Sequence, residues 1–67
     1  MGTRRYEFRV DGRLSDEARA AFVDMRIMET PPQTLLDGDV IDASHLHGII
    51  AQFQALGITV VSVLPVP

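Results

Sequence analysis

At 67 residues with no cysteine, the chain reads as one domain, residues 1–67, too short to carry two cores and without the means to form a disulfide or a thiolate metal site. Nine acids against six basic residues leave a formal charge of −3, which disfavours nucleic acid as a partner, because phosphate contacts need a basic face. No apolar run approaches the ~20 residues of a membrane span and the start lacks the apolar stretch of a signal peptide, so the expectation is a cytoplasmic protein with no membrane partner.

Met1 to Thr3 reads as a loose end. Tyr6 stands where a myristoylation signal following Met1-Gly2 wants Ser or Thr. From Arg4 to Val10 the residues alternate, with Tyr6, Phe8 and Val10 on one side and Arg5, Glu7 and Arg9 on the other. That period of two predicts a half-buried strand whose solvated face holds a cross-strand ion pair. Asp11-Gly12 is turn chemistry. Ser15 is a cap for a short helix, with Asp16 and Glu17 in its favourable first turn and Ala18, Ala21 and Phe22 on its apolar side.

Val23 to Thr30 alternates again and predicts a second strand, ended by Pro31-Pro32, neither of which can donate to a ladder. Gln33 to Leu36 predicts a third strand returning antiparallel. Asp37-Gly38-Asp39 then reads as a turn or bulge, and Val40-Ile41 leads to Asp42. Asp42 caps a helix in which Leu46, Ile49, Ile50, Phe53 and Leu56 recur at helical spacing, and Gly57 fits its left-handed end. Ile58 to Leu64 is rich in β-branched residues and predicts a last strand, stopped by Pro65.

Strand, helix, strand, strand, helix, strand is the split pattern of an α+β, ferredoxin-like fold: a four-stranded antiparallel sheet with two helices on one face. The first and third strands would be central and the last an edge. An apolar, uncharged edge invites pairing, so Val61 and Val63 are candidate interface residues. The long helix points the same way. From Ala43 to Gly57 it has no charged residue, and Ser44, Gly48, Ala51 and Ala55 form a small-residue stripe opposite Leu46 and Phe53. A chain of this length buries only ~60% of its unfolded surface and commonly adds a disulfide, a metal or a partner subunit. With cysteine absent, a second copy is the natural supplement, and a homodimer is expected.

His45 and His47 invite a metal reading, yet two residues apart on a helix they point ~200° away from each other. Asp37, Asp39 and Asp42 lack the glycine and distal glutamate of a calcium loop. No metal and no cofactor is therefore expected. There is no nucleophile–base set and no phosphate-binding glycine loop. Tyr6, His45 and His47 remain as candidate ligand-binding residues.

The segments Tyr6-Glu7-Phe8-Arg9-Val10, Thr34-Leu35-Leu36-Asp37-Gly38, Val40-Ile41-Asp42, Leu46-His47-Gly48 and Ala55-Leu56-Gly57-Ile58 resemble those of a group of short bacterial hypothetical proteins of about this length. Val23 to Gln33 shows no clear match. The resemblance covers mainly capping and packing positions and implies no functional residue. The expectation is a non-enzymatic dimeric module that binds an unknown protein or small molecule. The alternative is a small cofactor-independent enzyme, isomerase- or monooxygenase-like, using Tyr6, His45 or His47 as acid or base in an enclosed pocket. A weaker third expectation is an assembly that responds to pH through His47.

Overall fold

The computed structural model describes residues 2–67; Met1, part of the expected loose end, lies outside the described residues. The elements in chain order are β1 (Arg4–Asp11), α1 (Asp16–Ala21), β2 (Arg26–Thr30), β3 (Gln33–Val40), α2 (Ala43–Ala55) and β4 (Val60–Pro65). The four strands form one antiparallel sheet in the order β2-β3-β1-β4, so β1 and β3 are central and β2 and β4 are edges. The class is α+β, as the alternation of patterns implied.

Both helices cover the same face. Phe8 and Val10 of β1 lie opposite Leu36 and Thr34 of β3, and all four are fully buried. Onto them α2 presses Phe53, whose ring lies 5.6 Å from that of Phe8. Phe22, at the end of α1, stacks on Phe53 at 4.5 Å, so three aromatic rings from three elements meet in one core. Ala18 and Ile49 complete the contact between helices and sheet. The opposite face of the sheet carries Arg5, Glu7 and Arg9. There Arg5 Nη2 donates to Asp37 Oδ1 at 2.8 Å, the cross-strand pair expected on a solvated face.

Helix ends follow their chemistry closely. The Ser15 hydroxyl accepts from the Ala18 N–H at 3.1 Å, and Asp42 Oδ1 accepts from the His45 N–H at 2.8 Å. At the far end of α2, Gly57 takes a φ of 72°. Its N–H reaches the Gln54 carbonyl at 3.0 Å, and the Ile58 N–H reaches that of Phe53 at 2.9 Å. These two bonds satisfy carbonyls that the helix leaves unpaired, and the left-handed residue between them is one that favours glycine.

Three expectations are corrected. The second strand begins at Arg26 rather than Val23; Val23 to Met25 form a turn, and Val23 is 76% exposed. Asp37-Gly38-Asp39 is no turn but the last stretch of β3, paired with Glu7, Tyr6 and Arg5 of β1. Gly38 is there for space. A Cβ on it would stand 2.9 Å from Met25 Cγ, so Met25 lies directly over the bare backbone. Finally, β4 runs from Val60 through Pro65 instead of stopping before it. The Val66 N–H donates to the Arg5 carbonyl. By alternation Pro65 therefore points to the free edge, where a missing donor costs no bond to β1.

Candidate functional site

Two features stand apart from the core: an uncharged surface and a recess. Every Asp, Glu and Arg of the chain lies at or before Asp42, and from Ala43 to Pro67 there is no charged side chain. That tract makes up α2 and β4, which both adjoin β1, one through the Phe53–Phe8 contact and the other through strand pairing. Ser44, Gly48, Ala51 and Ala55 are all exposed on the outer side of α2. On β4, Val61 and Leu64 are 48% and 56% exposed. Val61 owes its exposure to a register shift between Arg9 and Val10, which leaves it without a partner on β1. Val63 instead pairs with Phe8 and packs half-buried against the core.

The recess lies where three segments converge: the end of α1 with the turn that follows, the end of β3, and the first half of α2. Its volume is about 360 Å³. Phe22, Met25, Ile41 and Ile49 give it apolar walls, and Thr3, Asp24, His45 and Gln52 add polar residues, while Asp39 borders it from a strand position paired with Arg5 on the sheet's other face. Asp24, Met25 and Asp39 also border a more open depression of about 410 Å³, on whose other side stand Arg5, Arg26 and Asp37. Met25, seated on Gly38, is thus a wall common to both hollows.

His45 is fixed at both ends of its residue. Its N–H is the one that Asp42 caps, and its Nδ1 accepts from the Ile41 N–H at 3.0 Å. An Nδ1 that accepts carries no proton, so in the neutral ring the hydrogen is on Nε2, which remains a donor. The arginine ion pairs are Arg5–Asp37, Arg13–Glu29 and Arg19–Glu29. Asp24 and Asp39 therefore have no arginine partner among the described residues.

The residues singled out from sequence do not converge. Tyr6 is half-buried in β1 with its ring 6.5 Å from that of Phe8, and it does not line the recess. His47 is exposed on the opposite flank of α2 from His45, as the two-residue spacing requires. His45 alone of the three borders a hollow. Asp24 and Met25, expected on a strand, lie instead in the turn that borders the recess beside it. Among the described residues, no group of three His, Cys, Asp or Glu side chains is placed to hold a metal ion. No helix is long and apolar enough to cross a membrane.

Residues 5–64 match the model of a family described as a domain of unknown function, DUF8691, and the chain belongs to that family. No curated protein and no solved structure matches it.

Proposed function

We propose that this member of the DUF8691 family is a non-enzymatic, self-associating module in which two copies meet through β4 and the outer side of α2. The observation that carries this reading is the segregation of charge. Residues 43–67, which make up α2 and β4, carry no charged side chain, while every Asp, Glu and Arg lies within residues 4–42. The buried centres of protein interfaces are depleted of charge, whereas a solvated helix face ordinarily carries it. Small residues on α2 let a second backbone approach closely, and β4 presents an unpaired edge to a symmetry mate.

We read the fold as ferredoxin-like. The order β2-β3-β1-β4 and the two helical crossovers support that, since each crossover spans a central strand. A bacterial source and a cytoplasmic setting belong to the same reading. They rest on the resemblance and on the composition. The enzyme alternative needs Tyr6, His45 or His47 as acid or base in an enclosed pocket, and of the three only His45 borders the recess.

Sedimentation velocity of the full chain at micromolar concentration tests the proposal. A dimer is expected, and Ala51→Glu, which puts a carboxylate on the exposed side of α2, converts it to a folded monomer. A wild-type chain that sediments as a stable monomer overturns the reading. So does a dimer that Ala51→Glu leaves intact.

A further inference from the structure

We infer that the start of α2 is a pH-sensitive cap, in which the His45 imidazole locks the junction between β3 and α2 when neutral and releases it when protonated. In the common reciprocal cap, the capping side chain accepts from the N–H three residues on. A Glu or Gln at that third position then reaches back to the backbone N–H at the cap. Here Asp42 is the cap and accepts from the His45 N–H at 2.8 Å, while His45 Nδ1 accepts from the Ile41 N–H at 3.0 Å. The contact is closed in both directions, but the returning acceptor is a histidine. A glutamine carbonyl accepts at every pH. An imidazole nitrogen accepts only while it carries no proton, and histidine is the side chain whose charge ordinarily changes between pH 5 and 8. The sign follows from that chemistry. The bond exists on the alkaline side, where Nδ1 is bare, and is lost on the acid side, where both ring nitrogens donate.

Protonation loosens the junction in two ways. The Ile41 N–H loses its acceptor, and a positive charge enters the first turn of a helix whose N-terminal dipole disfavours cations. That turn of α2 holds no acidic residue to offset the charge, so only the cap itself does. The other titratable groups around the ring border the recess: Asp24 in the turn after α1, and Asp39 at the end of β3 from the strand position opposite Arg5. No arginine lines the recess, and the chain has no lysine. A released imidazolium therefore meets carboxylates and no competing cation.

The junction is also a wall. Ile41 is 68% exposed and lines the recess together with His45, so the ring that pins the backbone helps to shape the hollow. Acid thus acts on the entry into α2 and on the recess through one hydrogen bond. His47, exposed on the other flank of α2, is the internal control.

The test is two-dimensional NMR of the full chain from pH 8 to pH 5.5, which stays above the carboxylate range of ~4. At pH 8 the imidazole nitrogen shifts of His45 should show the proton on Nε2 and a bare Nδ1. On acidification the Ile41 amide should titrate together with the His45 ring, and its hydrogen-exchange protection factor should fall by roughly fivefold, as one hydrogen bond is lost. His45→Gln keeps an acceptor at every pH and should hold the Ile41 amide still, whereas His47→Gln should titrate as the wild type does. A proton on Nδ1 at pH 8, an Ile41 amide that ignores pH, the same titration in His45→Gln, or its loss in His47→Gln would each overturn the cap. The ring nitrogens are read in the wild-type chain, so the proposal does not depend on a variant folding. Nor does it depend on whether the chain is a monomer or a dimer.

Discussion

β2 and β4 close the two sides of one sheet with opposite means. β2 is five residues long, carries Arg26 and Glu29, and ends against Pro31-Pro32. Glu29 is held there by Arg13 and Arg19, so charge is anchored along that border. These are the devices by which an edge strand repels another chain. β4 has none of the charged ones. Its residues are Val60, Val61, Ser62, Val63, Leu64 and Pro65, and two of the large apolar ones are about half exposed. One border is defended and the other is left open, and the open one belongs to the same uncharged tract of sequence as α2. Reading the difference as deliberate is what assigns the second copy to β4 rather than to β2.

The largest expected effect comes from beneath both borders. Phe53 touches Phe8 and Phe22 and is fully buried. Phe53→Ala should cost ~3–5 kcal/mol, measured by urea unfolding, and in a domain of this size that approaches the whole stability. It also tests for association. If a second copy covers α2 and β4, the midpoint of the variant should rise with protein concentration, because association stabilises the folded form by mass action. A midpoint that ignores concentration would place no partner at that side.

Giving β4 the charge that β2 already has is the next step. Val61→Lys sets like charges close together across a two-fold axis and should raise the dimer dissociation constant by ~100-fold, with the monomer still folded. Val61 has no partner on β1 and is about half exposed, so little packing is lost. A dimer of undiminished strength would show that β4 is not the seam.

The contrast between the borders was visible in the residues, but the recess was not. Caps at Ser15 and Asp42 and the stop at Gly57 were legible because each is a local device whose chemistry works within one turn. The alternation of β1 was legible because a half-buried strand repeats every two residues. Asp37-Gly38-Asp39 misled because turn composition was outvoted by tertiary contacts. Asp37 meets Arg5 across the sheet, and Gly38 lies under Met25. The recess is bordered by Thr3 and by residues of the segments 21–25, 39–41 and 45–52, and nothing local signals that distant segments will converge. Thr34 was missed for a related reason. A threonine in an amphipathic strand looks like surface, yet it is fully buried, with its hydroxyl donating to the Gly12 carbonyl at 2.6 Å.

That bond yields a smaller prediction, confined to the β2 side. The Gly12 N–H donates to the Pro32 carbonyl at 2.8 Å, so Thr34 and Pro32 together tie the turn after β1 to the β2–β3 hairpin. Thr34→Val keeps the shape and leaves the Gly12 carbonyl without its partner, at a cost of ~1 kcal/mol in thermal unfolding. The dimer dissociation constant should not move, because none of Gly12, Pro32 and Thr34 pairs with β4.

The smallest effect tests whether the guard on β2 is there for stability or for exclusion. Glu29 is bonded to two arginines, but Arg13 is 80% exposed and Arg19 more than a third exposed, so water screens both pairs. Glu29→Gln should therefore change stability by at most ~0.5 kcal/mol. If the pairs serve mainly to keep a second strand away, the same variant should also leave the β4-mediated dimer as it is. Paired with Met28→Val, which raises the β-propensity of a border already 47% exposed at that residue, it should begin to form larger species in light scattering at high concentration. Larger species would then come from the β2 side alone and would persist in Val61→Lys. A strong loss of stability in Glu29→Gln would instead make the arginine cluster a structural clamp and remove the contrast between a guarded border and an open one.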